Sequence, residues 1–287
     1  MKNFYIIANR IKDKDLSVAG EIETYLARHG CTCCVETEKP ERGEGRYHYT
    51  DPRAIPQKIE CVIVLGGDGT LLQAARDVAE RQIPLLGINL GTLGYLAEID
   101  RQNIFPALDR LMRGEYEIER RMMLEGKVYR GSEVLDQDIA LNDIVIGGQE
   151  NFTIIQFNNY VNGEYLNTYR ADGIIIATPT GSTGYSLSAG GPLISPAAAL
   201  FLMTPLAPHT LNTRSIVFPV ENKITVEIGR GRDGQMQEAA AYFDGDTRVL
   251  MKTGDRIEIS RAKLDTQIVK IHHSSFLEIL SRKMSYR

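Results

Sequence analysis

Apolar residues in the first third of the chain follow two rhythms. Phe4–Ala8, Cys61–Leu65 and Pro84–Ile88 are short unbroken runs, the pattern of strands buried on both faces. Between them Val18, Ile22, Tyr25 and Leu26, then Leu71, Leu72, Ala75, Val78 and Ala79, recur at helical spacing, and Ile104 to Arg113 makes a third, short helix. Ser17 is placed to cap the first helix and Gly30 to stop it. Residues 36 to 57 are polar and rich in Gly and Pro, which predicts a loop. Strands alternating with helices predict an α/β domain, a parallel sheet with helices on both faces.

The texture changes after Arg121. Asn162-Gly163 separates Phe152–Val161 from Glu164–Arg170, and Asp244-Gly245 separates Ala239–Phe243 from Thr247–Leu250. Both dipeptides supply the positive φ angles of tight hairpins, so a β-rich, sandwich-like second domain follows. Ser274-Ser275 precedes Phe276, Leu277, Ile279 and Leu280, a capped amphipathic tail helix. The expected organisation is an α/β domain over 1–120, a β-rich domain over 121–266, and a tail over 267–287.

A length of 287 residues suits two domains. The net charge of −4 excludes a broad basic field, and with it nucleic-acid binding by bulk electrostatics. No apolar run nears the ~20 residues that span a bilayer, and Phe4–Ala8 is too short for a signal-peptide core. The expectation is a cytoplasmic protein with no membrane partner. Cys31, Cys33 and Cys34 crowd one segment without a second ligand pair, so they read as packing residues along with Cys61, and no metal site is assigned. His272-His273 reads as a strand end, and Arg120-Arg121 as a solvated pair at the domain junction.

Three constellations carry candidate chemistry. Leu65-Gly66-Gly67-Asp68-Gly69-Thr70-Leu71 lies between a buried strand and a helix, where backbone N–H groups approach anions. It lacks the Gly-Lys-Ser/Thr of a Walker loop, and Leu72 replaces the last glycine of a dinucleotide fingerprint. Asp68 between the glycines either accepts a proton from an attacking hydroxyl or caps the helix through Thr70 or Leu71. Asp172 to Pro192 runs from an apolar strand into a loop of glycines, serines and threonines. Its small hydroxyls can wrap a polar ligand and its Tyr185 can pack on a base, although such composition also occurs in linkers. Asn142-Asp143 sits in an apolar strand frame; the amide matches an adenine edge and the carboxylate ribose hydroxyls, while a plain turn is the alternative.

Together these segments resemble the NAD kinase family, with the match running from Gly66 to the tail. Gly66-Gly-Asp-Gly-Thr70 alone is shared with diacylglycerol and sphingosine kinases. Thr178-Pro-Thr-Gly-Ser-Thr-Gly-Tyr-Ser-Leu-Ser188 is far more specific, and Gly91-Thr-Leu-Gly-Tyr-Leu96, Asn142-Asp143, Asp244-Gly245 and Ser275-Phe276 agree with it. Gly184 stands where the family frequently has Ala, and the family frequently has Gln near Asp246. The resemblance implies transfer of a phosphoryl group from ATP or polyphosphate to the adenosine ribose 2′-hydroxyl of NAD, making NADP, with Mg²⁺ or another divalent metal.

It implies Asp68 as proton acceptor, with Gly66, Gly67, Gly69 and Thr70 along the phosphates and dinucleotide. Asn142 and Asp143 would hold adenine and ribose, Asp172 the nicotinamide end, and Arg170 the dinucleotide. Thr183, Gly184, Tyr185, Ser186, Leu187 and Ser188 would line the adenosine pocket, and the substrate would lie in a cleft between domains. A homo-oligomer, dimer or tetramer, is also implied. A lipid kinase and a non-catalytic NAD(P) sensor are the competing expectations. The first would need an apolar acceptor pocket in place of the hydroxyl-rich loop, and the second has no need of Asp68.

Overall fold

The computed structural model describes residues 1–36, 50–91, 94–148, 154–209, 213–271 and 276–285. Most of the 36–57 loop, His272-His273 and the Ser274-Ser275 cap therefore lie outside the described residues. The chain divides into two compact units, Met1–Arg121 with Leu264–Arg287, and Met122–Lys263.

In the first unit, strands β1 (Asn3–Ala8), β2 (Thr32–Val35), β3 (Cys61–Gly66), β4 (Leu85–Asn89) and β5 (Ile99–Asp100) alternate with helices α1 (Ser17–Arg28), α2 (Asp68–Asp77) and α3 (Ile104–Arg113). All strand pairs are parallel, in the order β2-β1-β3-β4, with β5 also beside β4. Alternation along β1 and β3 sends Phe4, Ile6, Ile63 and Leu65 to one face. There they meet Ile22 and Leu26 of α1 and Leu108 and Leu111 of α3. Leu71 of α2 lies across the other face, where a Cβ on Gly87 would meet its Cδ1 at 2.5 Å. Both faces of the sheet are thus covered, as continuous apolar strands require.

Two local expectations change. Asp13, not Ser17, caps α1: its buried carboxylate accepts from the amides of Val18 and Ala19 at 3.1 and 3.0 Å and from the Ser17 hydroxyl at 3.2 Å. A charged acceptor meets the positive end of the helix better than a hydroxyl does. Arg121 is not solvated; it is buried and ion-paired with Glu119 at 2.8 Å, while Arg120 is exposed. The cysteines are free thiols, and burial pushes those of Cys33 and Cys61 up to about 12, which keeps them unreactive.

The second unit is built from β6 (Glu117–Arg130), β7 (Glu133–Ala140), β8 (Asp143–Gly147), β9 (Ile155–Val161), β10 (Glu164–Ala171), β11 (Gly173–Ala177), the short helix α4 (Tyr185–Ser188), β12 (Leu200–Leu206), β13 (Ile216–Pro219), β14 (Ile224–Ile228), β15 (Glu238–Phe243), β16 (Thr247–Lys252) and β17 (Asp255–Lys270). One antiparallel layer runs β13-β12-β11-β8-β15-β16, and the other contains β10-β9-β14-β17. Their inner faces share a core of Phe157, Phe201, Phe243, Ile174 and Ile224, a sandwich.

Asn162 and Gly163 take φ of 52° and 84° in a two-residue turn. The second hairpin turns through three residues, Asp244 to Asp246, because Phe243 pairs with Thr247; Asp244 and Gly245 take φ of 49° and 74°. The far end of β17 belongs to the first unit, where Ile268 pairs with Leu85 and Lys270 bonds Glu98 at 2.6 Å. Helix α5 (Phe276–Ser285) closes the chain. None of the described helices is long and apolar enough to cross a membrane.

Candidate functional site

In the first unit the carboxyl ends of β1 and β3 lie side by side, and from there the chain leads outward to β2 on one side and β4 on the other. Such a switch point opens a crevice above the sheet where ligands bind. The loop after β3 fills it. Gly66 leaves no room for a Cβ because Thr70 stands over it, and Gly67 is the extended residue before α2. Thr70 Oγ1 accepts from the Asn9 amide at 3.1 Å, tying the loop after β1 to the start of α2. Gly69 is exposed, with open space where its Cβ would be.

Asp68 does not cap its own helix. It opens α2 and turns its carboxylate to three consecutive amides after β4: Tyr95 donates to Oδ2 at 2.6 Å, and Leu96 and Ala97 donate to Oδ1 at 3.1 Å each. Gly94 must be glycine here, since a Cβ would fall onto that carboxylate. Thr92 and Leu93 of the same motif lie outside the described residues.

The second unit brings Asn142, Asp143, Asp172 and Tyr185 together around a cavity of about 570 Å³, with Tyr242 and Asp244. Asp244 builds it. Its carboxylate accepts from the amides of Leu141, Asn142 and Asp143 at 2.8, 2.8 and 3.1 Å. That grip bends the chain just before β8 and leaves Asn142 half-buried and Asp143 buried at the cavity wall. The bend resolves the conflict of two polar neighbours in a strand. Burial, and secondly the charge of Asp244, push the Asp143 carboxyl up to about 7.

The hydroxyl-rich segment locks onto the same bend. Thr178 Oγ1 donates to the Leu141 carbonyl at 2.7 Å and accepts from the Gly181 amide at 3.1 Å. Gly181 presses against the Asn142 backbone too closely for any Cβ. Ser182 donates to the Pro179 carbonyl, Thr183 to the Thr180 carbonyl, and Ser186 pairs with Thr204. These hydroxyls hold the loop in one shape, so Thr183 and the buried Ser186 act from behind the pocket. Gly184 lies against Asn142 and Asp143; Tyr185, Leu187 and Ser188 are exposed, and of these Tyr185 lines the cavity. Arg170 stands apart, in a separate cavity of about 590 Å³ with His209, Arg230 and Arg232.

Sequence reasoning missed Asp244 as a site builder, because a turn aspartate before glycine is explained by its backbone alone. It also missed Tyr242, which has no motif, and the amides of 95–97. Among the lining residues of the 570 Å³ cavity there are three carboxylates and no cation. Such a pocket suits hydroxyls, amides and a cationic ring, not phosphates.

A glycine loop with one carboxylate at a switch point, and an acid-lined pocket in a β-sandwich, define a two-domain protein of the nucleotide-handling kind. The chain belongs to the ATP-NAD kinase family, whose N-terminal domain matches residues 4–116 and whose C-terminal domain matches residues 141–271. It is 47% identical over 295 residues to an NAD kinase of Lachnospira eligens, covering 99% of this chain and 100% of that one. It is also 47% identical over 285 residues to an NAD kinase of Agathobacter rectalis, covering 99% of each. Two solved structures share the fold. Yeast NADH kinase complexed with NADH has a TM-score of 0.84 at 24% identity, over 100% of this chain and 88% of that one. An NAD kinase from Archaeoglobus fulgidus in complex with ATP has a TM-score of 0.78 at 24% identity, over 100% of both.

Proposed function

We propose that this protein transfers the terminal phosphoryl group of ATP to the adenosine ribose 2′-hydroxyl of NAD, producing NADP and ADP. The observation that carries the reading is Asp68, the carboxylate of the glycine loop, fixed by three backbone amides in a chain of this family. A carboxylate offers about four lone-pair positions. Oδ1 accepts two amides and Oδ2 one, so Oδ2 keeps a position for a hydroxyl proton. As the ribose oxygen bonds to the γ-phosphorus and the bond to ADP breaks, Oδ2 takes that proton. Fixing the acid in advance is most of what a phosphoryl transferase supplies.

Asn142 and Asp143 take the adenine and ribose, Asp172 the nicotinamide end, and Tyr185 packs on the nucleoside. Arg170 approaches the dinucleotide from its own cavity. Gly66, Gly67, Gly69 and Thr70 present backbone to the phosphates. The described residues contain no group of three or more His, Cys, Asp or Glu able to cage a metal. With Asp68 as the loop's sole acid, the donor set fits a divalent cation that arrives on the triphosphate. That cation offsets phosphate charge. Polyphosphate is a second donor to be tried, and a cytoplasmic dimer or tetramer completes the proposal, checked by light scattering.

A coupled assay of NADP formation, with donor and metal varied, tests the reading. NADP formation with a triphosphate or polyphosphate and a divalent metal is expected. Tight NADP binding without turnover under any donor would make the chain a sensor and overturn the proposal.

A further inference from the structure

The glycine loop has N–H donors but no cation of its own, and a triphosphate needs both. We infer that Lys12, on the loop after β1, is the phosphate-binding cation of this site and contacts the transferring end of the donor. The inference rests on the phosphoryl-transfer reading above.

Four observations converge on Lys12. The loops after β1 and β3 leave adjacent parallel strands at the switch point, and the Asn9 amide bonds the Leu65 carbonyl at 2.8 Å, so the two loops start from one clamped junction. Asn9 then fixes the turn: its side-chain oxygen accepts from the amides of Ile11 and Lys12 at 2.9 and 3.3 Å, while its side-chain nitrogen donates to Thr70. From that turn the Lys12 ammonium reaches the β3 loop, with Nζ 3.5 Å from the Gly66 carbonyl. A Cβ on Gly67 would lie 3.0 Å from Nζ, and one on Gly91 3.1 Å. The ammonium therefore sits among three backbones that carry no side chains, where an anion can reach it.

The neighbouring charges leave Lys12 for a ligand. Among the described residues it forms no ion pair, and its one hydrogen-bond acceptor through Nζ is the distant Gly66 carbonyl. Asp13, next in sequence, is occupied at the N-terminus of α1. Arg10 is turned away, donating to the Glu36 carbonyl at 2.7 Å. An exposed lysine without a role would have no reason to lie across three glycine backbones, since its freedom in water is worth more than one long hydrogen bond.

The test compares wild type with Lys12→Ala and Lys12→Arg, reading KM for ATP and for NAD, and binding of inorganic tripolyphosphate by calorimetry. Loss of a charge-assisted contact should raise the ATP KM and weaken tripolyphosphate by about tenfold to a hundredfold in Lys12→Ala. The NAD KM should stay put, Lys12→Arg should recover most of the loss, and thermal stability should be unchanged because Lys12 is exposed. Tripolyphosphate affinity and ATP KM both within twofold of wild type in Lys12→Ala would overturn the inference and leave the kinase reading intact. Should wild type make no NADP, that reading fails on its own, while a drop in tripolyphosphate binding in Lys12→Ala would still support the assignment of Lys12.

Discussion

Each unit contains one aspartate that holds three consecutive backbone amides. In the first unit Asp68 holds Tyr95, Leu96 and Ala97; in the second Asp244 holds Leu141, Asn142 and Asp143. The device is the same and the outcome opposite. Around Asp68 the amides belong to Tyr95, Leu96 and Ala97, none of which carries a carboxyl of its own, so the grip fixes the acid without burying a second one beside it. Around Asp244 the third amide belongs to another carboxyl, so the grip buries Asp143 beside an existing charge and raises it to about 7. One cradle fixes the carboxylate that we propose as proton acceptor; the other bends the chain beside the 570 Å³ cavity and accepts an electrostatic penalty in doing so.

The largest break in this comparison should come from Asp68→Asn. The amide side chain keeps one acceptor but no basic oxygen, so turnover should fall by about 10²–10⁴-fold while NAD affinity stays within a few-fold; retained activity would remove Asp68 from the chemistry. Gly94→Ala approaches the same cradle from the other side. Its methyl group must displace the Asp68 carboxylate, so turnover should drop at least about tenfold with NAD binding again preserved. An active Gly94→Ala variant would mean the aim of the acid is not critical.

Asp244→Ala should show mainly as lost stability, about 2–4 kcal/mol in urea unfolding, as three amides lose a charged acceptor. Asp244→Asn should cost less, because asparagine tolerates the φ of 49° and keeps one acceptor. The smallest effect is a pH trend. Asp143 binds its proton more tightly folded than unfolded, so its contribution to stability is full below its ordinary carboxylate range, declines as pH rises from about 4 to about 7, and is gone above that. The unliganded protein should melt lower at pH 8 than at pH 5.5, and Asp143→Asn should flatten that slope. An unchanged slope would assign the trend to other groups.

Much of this architecture is legible in the sequence. The apolar runs of β1, β3 and β4 and the helical spacing of α1 to α3 are local patterns, and Asn162-Gly163 encodes its own turn. The lipid-kinase alternative yields to full-length kinship with NAD kinases. Less legible is what each polar side chain does. Thr178, Ser182 and Thr183 read as ligand-wrapping hydroxyls, yet each is satisfied by a nearby carbonyl, and composition cannot tell the two uses apart. Asp244 reaches Asn142 across 102 residues, and Lys12 reaches Gly66 across 54; no periodicity carries such contacts. Asp13 displaces Ser17 as the cap because a short turn before the helix, invisible in spacing, brings the stronger acceptor within range.

The first unit is discontinuous in sequence: Met1–Arg121 is completed only by Leu264–Arg287, with Ile268 against Leu85 and Lys270 against Glu98. During synthesis the β-sandwich has all its strands before the first unit receives its final one. A chain that ends before Leu264 thus has a complete sandwich and an unfinished parallel sheet, whose β4 margin at Leu85 keeps backbone groups open to pairing with other chains.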